Sequence, residues 1–196
     1  MNKLYNRYIE LLQKWGSSLD LIGTLDHDEI IEKHIKDCQE ITKLISPNIK
    51  RVIDFGTGAG LPGLIVKFER PELEIVLLDS KRKKVNFCHH VIAELGLSNI
   101  TAVQGRVEDK DLISTLGRFD LIVSRATWSL KDFLSKTALF GDGIEIIAMK
   151  GPKWKEEINE AQDVMNSLLI RLIEEHHYNL AGGEGRVLLK FKKCFT

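Results

Sequence analysis

A chain of 196 residues, 43% hydrophobic and 29% charged, can fill one good core with a small helical addition, and its composition is that of a globular protein. Its 28 basic and 28 acidic residues cancel, which excludes a uniformly basic nucleic-acid binder and leaves only local patches for such contacts. Cys38, Cys88 and Cys194 have no C-x-x-C spacing, no apolar run reaches a membrane span, and Lys3, Arg7 and Glu10 break any signal-peptide pattern, so a reducing, cytoplasmic setting without metal or membrane is expected.

Leu4, Tyr8, Leu11, Leu12 and Trp15 recur at helical spacing, predicting an amphipathic helix that stops near Gly16. Asp26 with Glu29 forms a capping-box start for a second helix, whose stripe is Ile30, Ile31, Ile35, Cys38, Ile41 and Ile45. His34 and Asp37 are neighbours on it at i,i+3. They make either a helix-surface interaction or part of the mouth of a site. From Arg51 the pattern changes to strand–helix alternation. Strands are expected at Val52–Phe55, Leu73–Leu78, Ile100–Gln104, Phe119–Val123 and Ile144–Met149. The helix after Asp79 has Ser80 as its expected N-cap and Gly96 as its C-cap, with Val85, Cys88, Val91, Ile92 and Leu95 inward. Ser129 caps a helix with Leu130, Phe133, Leu134 and Ala138 inward. Another helix spans roughly Lys153 to Ser167. Arg171–Tyr178 and Arg186–Lys193 read as a closing antiparallel pair joined by the glycine-rich loop 181–185. The fold class is therefore α/β, a doubly wound, mostly parallel seven-stranded sheet with an N-terminal helical extension. The extension is residues 1–46 and the sheet domain residues 47–196.

The most informative stretch is Val52-Ile53-Asp54-Phe55-Gly56-Thr57-Gly58-Ala59-Gly60-Leu61-Pro62-Gly63. A buried strand runs into three alternate glycines, and Leu61-Pro62 opens a helix. Pro62 suits the first helical turn. The unpaired N–H groups of such a turn are expected to cradle a polar or anionic ligand. Asp79 ends the next strand, where an acid can accept hydrogen bonds from both ribose hydroxyls of an adenosine cofactor. Gly56, Asp79, Glu108, Arg125 and Lys150 all fall at or just past strand ends, where ligands of such sheets bind.

These stretches resemble the glucose-inhibited division protein B family, bacterial methyltransferases that use S-adenosyl-L-methionine to methylate N7 of a guanine in 16S ribosomal RNA of the small subunit. The resemblance is carried by His34-Ile35-Lys36-Asp37, the glycine run Asp54 to Gly63, Leu77-Leu78-Asp79-Ser80, Arg106-Val107-Glu108, Ser124-Arg125-Ala126 and Lys150-Gly151. It implies a Rossmann-like class I methyltransferase domain, acting as a monomer on 16S ribosomal RNA or the assembled small subunit. It also implies that the cofactor contacts Gly56, Gly58, Leu61, Asp79, Val107, Glu108 and Arg125, with Arg125 also catalytic beside the target base. The chain departs from the family pattern at Asp20-Leu21-Ile22, Cys38, Lys84 and Thr127-Trp128.

Guanine N7 has a lone pair and no proton, so a site without a general base is consistent with this chemistry; catalysis rests on positioning and charge stabilisation. The basic run Lys81-Arg82-Lys83-Lys84 and the group Lys150, Lys153 and Lys155 are candidates for phosphate contacts, and Trp128 or Trp154 for base stacking; solvated faces and core roles are the structural alternatives. Three other functions share parts of this pattern. A nicotinamide oxidoreductase is disfavoured because Leu61 stands where the G-x-G-x-x-G fingerprint needs glycine. A methyltransferase of another RNA or a small molecule shares the cofactor half, and a non-enzymatic RNA-binding module would need a vestigial site.

Overall fold

The change of hydrophobic period at Arg51 marks the entry into a seven-stranded sheet. The computed structural model describes residues 3–125 and 128–195. Ala126 and Thr127, which carry the end of the Ser-Arg-Ala step and one departure from the family pattern, lie outside the described residues. The strands are β1 (Arg51–Phe55), β2 (Glu74–Asp79), β3 (Ile100–Gln104), β4 (Leu121–Arg125), β5 (Glu145–Lys150), β6 (Ile170–Asn179) and β7 (Gly185–Lys193). Their order is β3-β2-β1-β4-β5-β7-β6. The first five are parallel, and β7 is antiparallel to both β5 and β6. β4 begins and ends two residues later than expected, so Ser124 and Arg125 belong to the strand and are held in register with Ala148 and Met149.

The first helix, α1 (Lys3–Leu19), runs past the expected stop at Gly16. A Cβ on Gly16 would lie 2.4 Å from Leu25 Cδ2, so this glycine gives the following loop room against the helix instead of ending it. The second helical stretch is not one helix. It is α2 (His27–Ile30), a π-helical turn (Ile31–Ile35), α3 (Lys36–Glu40) and a 3₁₀ turn (Ile41–Leu44). Asp26 caps it as expected, its Oδ1 accepting from the Glu29 N–H at 2.9 Å. The sheet's helices are α4 (Gly63–Glu69), α5 (Arg82–Glu94), α6 (Lys110–Leu116), α7 (Leu130–Lys136) and α8 (Trp154–Ser167). Two expectations about them fail. Lys81, not Ser80, occupies the N-cap of α5, where the Asp79 carboxylate takes its N–H at 2.8 Å. Ala138 is exposed because α7 stops at Lys136, and Thr137 is buried in its place. α6 was not foreseen; Asp109 caps it by accepting from the Leu112 N–H.

Two apolar layers cover the sheet. One joins Tyr8, Ile9, Leu12, Ile30, Ile35 and Ile41 of the N-terminal extension to Leu64, Ile65 and Val66 of α4. The other packs Ile53, Phe55 and Ile122 against Phe133, Leu134 and Phe140. A buried polar knot ties the extension to the far side of the sheet: Lys190 Nζ on β7 lies 2.9 Å from Leu44 O, 2.7 Å from Ser46 Oγ and 3.0 Å from Glu145 Oε2. Among the described residues no helix is long and apolar enough to cross a membrane.

Candidate active site

The glycine turn is built from Asp54 upward. Asp54 is fully buried at the penultimate position of β1. Its Oδ2 accepts from Thr57 Oγ1 at 2.6 Å and from the Gly63 N–H at 2.9 Å, clamping the two ends of the turn together. Burial pushes its carboxyl up to about 7 against the opposing effect of those hydrogen bonds and of Arg125. Oδ1 is buried with no hydrogen-bond partner among the described residues. A Cβ on Gly63 would lie 2.3 Å from Leu77 Cδ2 and 2.9 Å from Asp54 Oδ2, so only glycine fits there.

The turn does not offer the row of open N–H groups expected from its sequence. Those of Gly56 and Thr57 go to Leu78 O, those of Gly60 and Leu61 to Thr57 O, and that of Gly58 to Asp79 Oδ2 at 2.9 Å. The helix it feeds begins at Gly63, with Pro62 as N-cap. The turn therefore acts as a shaped floor. Gly58 has φ of +58°, and a Cβ there would point into the open space beside Lys84 Nζ, where a ligand can lie.

Above that floor lies a cavity of about 570 Å³, a size suited to a nucleoside-bearing ligand. Gly56, Gly58, Leu61, Asp79, Val107, Glu108 and Arg125 all line it. Asp79 is nearly buried, and each carboxylate oxygen accepts one backbone N–H, from Gly58 and from Lys81. A carboxylate has about four acceptor positions, so capacity for two ribose hydroxyls is left. Glu108 pairs with Lys136, which holds its carboxyl below the ordinary range and also lies 5.2 Å over the Trp128 ring. Leu21, Thr57, Lys84 and Trp128 are also part of its wall. Sequence reasoning gave Leu21 no role in the site, because it comes from the extension.

Arg125 forms the wall between this cavity and a second of about 320 Å³, which His34, Asp37, Lys150 and Arg186 also line. Its Nη1 lies 3.0 Å from His34 Nδ1 and 3.7 Å from Asp37 Oδ2. Burial, then the charges of Arg125 and Lys33, push the His34 imidazole down to about 4. It is therefore neutral at pH 7, and Nδ1 accepts from the guanidinium. Tyr178 on β6 donates to Asp37 Oδ1 at 2.6 Å, fixing the carboxylate. The i,i+3 pair is thus a support for Arg125, placed on the π-turn and the start of α3; π-turns inside helices are frequent at functional sites.

Lys150 is not an open phosphate contact. Nearly buried, its Nζ donates to Trp128 O and to Glu157 Oε2, which also accepts from the Leu130 N–H, so it ties α7 to α8. Lys81, Arg82, Lys83, Lys153 and Lys155 are exposed.

Comparison with known proteins bears on the family and the fold. The model of a family described as rRNA small subunit methyltransferase G matches residues 1–181. A protein of that name from Clostridium botulinum is 42% identical over 167 residues, covering 82% of this chain and 70% of the relative. One from Acinetobacter baumannii is 39% identical over 177 residues, covering 87% and 83%. Among solved structures, a predicted O-methyltransferase from Agrobacterium tumefaciens aligns with a TM-score of 0.64 at 15% identity, over 82% of this chain and 80% of the other. A Pyrococcus horikoshii protein in complex with MeSAdo aligns at 0.59 and 15% identity, over 81% and 62%.

Proposed function

The chain belongs to the rRNA small subunit methyltransferase G family, and from that premise we propose that it methylates N7 of a guanine in 16S ribosomal RNA. It uses S-adenosyl-L-methionine and has the sheet of a class I methyltransferase. When bound, that cofactor supplies a methyl group on a sulfonium, which the N7 lone pair attacks with no proton to remove.

The work left to the protein is placement. The glycine floor and Asp79 hold the nucleoside, with Val107 and Glu108 flanking the adenine. Leu61 lines the inner end. The second cavity receives the guanine, and Arg125 stands between the two. Its planar fork spans a two-point contact, one face toward His34 and Asp37 and the other toward a guanine O6 or a phosphate. A fixed positive charge there stabilises the redistribution of charge during transfer without reorganising. The observation that carries this reading is the position of Arg125 as the shared wall of both cavities, supported from behind. On this reading the enzyme acts as a cytoplasmic monomer on 16S ribosomal RNA, free or within the small subunit.

The test is transfer of labelled methyl from S-adenosylmethionine to unmethylated small subunits, to naked 16S ribosomal RNA and to a metabolite extract, with mass mapping of the RNA product. Label at one guanine, at N7, is expected. Label confined to metabolites, or at another atom, would sink the assignment.

A further inference from the structure

Three of the cavities along the carboxyl edge of the sheet adjoin in a row, and the reaction above uses two of them. The cofactor cavity shares Arg125 with the second, and the second shares Arg186 with a third of about 230 Å³. The third lies where β5 ends, β6 ends and β7 begins. β6 runs antiparallel to β7, which is antiparallel to β5, so all three termini meet on one edge. Its walls are Pro152, Trp154, His177, Asn179 and Arg186.

The chemistry of these walls suits a nucleobase. The Trp154 and His177 rings stand 5.5 Å apart at 60°, in edge contact with each other, and together form one aromatic platform on the cavity wall. Trp154 is half-buried and held from below by the core, whereas the His177 side chain is 57% exposed. Lys155 Nζ lies 5.4 Å over the indole and is exposed, so it can swing from the ring to a phosphate. Arg186 Nε is buried with no hydrogen-bond partner among the described residues. The acids at the rim are already engaged, Glu184 with Arg186 and Glu175 with His177. Aromatic faces beside guanidinium and ammonium groups are what binds unpaired nucleotides, by stacking and phosphate pairing. Continuity with the second cavity through Arg186 favours an occupant that already extends from that cavity. From β4 to β6 is three strand steps, about 14 Å, within reach of a nucleotide flanking the target.

We propose that the base of an unpaired nucleotide flanking the methylated guanine stacks on the Trp154–His177 platform, so that the enzyme grips its RNA at two bases. The inference rests on the reading of the site as a ribosomal RNA methyltransferase. The substrate it selects is then a segment single-stranded on at least one side of the target, and stacking makes the grip tolerant of base identity.

The test uses the full chain with unmethylated small subunits, comparing wild type with Trp154→Ala, Trp154→Phe and His177→Ala. Trp154→Ala is expected to raise KM for subunits by roughly 5- to 150-fold, the loss of one stacked base. kcat and S-adenosylmethionine affinity by calorimetry should hold, and Trp154→Phe should recover most of the loss. His177→Ala, on an exposed ring, should move KM in the same direction with the thermal midpoint unchanged, which guards against misfolding of the Trp variant. Ultraviolet crosslinking of wild type to subunits should join Trp154 or His177 to a nucleotide beside the methylated guanine. Unchanged KM in both alanine variants while wild type methylates normally, or crosslinks only to remote or helical RNA, would overturn the stacking platform alone. No transfer by wild type would overturn the underlying reading, and the stacking platform with it.

Discussion

Arg125 has a structural role and, on the proposed reading, a catalytic one, and substitutions should separate them. Removing it leaves Asp37 buried with Tyr178 as its remaining partner and His34 facing an empty space. Arg125→Ala should therefore cost about 1–3 kcal/mol of stability, and at about 2–4 °C per kcal/mol for a chain this size the thermal midpoint should fall by several degrees. Turnover should fall by roughly 10²–10³, the scale for losing a positioned charged donor. Arg125→Lys should restore much of the midpoint, because a charge again faces Asp37, but little of the turnover, because one ammonium cannot reach both ways. Near-normal turnover in the Lys variant, measured in single-turnover assays beside melting curves, would remove Arg125 from the chemistry. Two buried titrating groups give a second prediction. His34 titrates lower in the fold than outside it, so its stabilising effect is present above its ordinary value of 6.5 and lost as pH falls toward about 4. Asp54 titrates higher, so its effect is present below 3.8 and lost as pH rises through about 7. The two slopes oppose each other between about pH 4 and 6.5. Relative to wild type, His34→Gln should lose stability as pH rises across that window, and Asp54→Asn should gain it. Difference melting curves flat in pH would contradict both assignments. At this scale the sequence showed types and places: a strand-end acid, a strand-end arginine, a His–Asp pair one turn apart. It did not show that the pair, about 90 residues away in the chain, is the support of the arginine, since nothing local encodes that contact.

Among the elements, α1 and the glycine turn are joined by one hydrogen bond. Tyr8, fully buried on α1, donates its hydroxyl to Ala59 O at 2.8 Å. Tyr8→Phe keeps the ring and leaves a buried carbonyl unpaired, a loss of about 1–3 kcal/mol. Because that carbonyl belongs to the floor of the cavity proposed for the cofactor, weaker S-adenosylmethionine binding should accompany the lower midpoint. Unchanged affinity in calorimetry would mean that the floor is set by Asp54 and Asp79 without the helix. The helix and strand content was mostly legible because the apolar spacing of α1, α5 and the parallel strands is strong. The second helical stretch was not. Ile30, Ile31, Ile35, Cys38 and Ile41 fit a helical stripe, and a π-turn that adds one residue to a turn leaves that stripe intact. The run of α1 past Gly16 was hidden for a different reason. Glycine is read as a stop, yet here it yields space to Leu25, a packing demand from another segment.

Across the whole molecule, the extension and the sheet are joined by the Lys190 knot as well as by apolar contact. Lys190 and Glu145 are both nearly buried, and the lysine also serves Leu44 O and Ser46. Lys190→Ala should leave an uncompensated carboxylate and cost about 3–5 kcal/mol. The double variant Lys190→Met with Glu145→Gln should recover part of that loss, since no unpaired charge is left behind. If the double variant melts no higher than the single one, the knot acts through the Leu44 carbonyl and not through charge. The strand order was legible only in outline: five parallel strands with an antiparallel pair at the end. That β7 lies inside β6 is a matter of which edge the hairpin meets. That placement has a consequence for synthesis. β6 leaves the ribosome before the strand that connects it to the sheet, and β5 waits with an open edge over the same interval. The nascent chain therefore passes through a stage with two unpaired strand edges and no Lys190 to neutralise Glu145. A chain stalled at Asn179 should be readily cleaved by protease and recognised by chaperones, and one extended through Lys193 should resist both. A stalled Asn179 chain that is already protease-resistant would show that the sheet closes by another route.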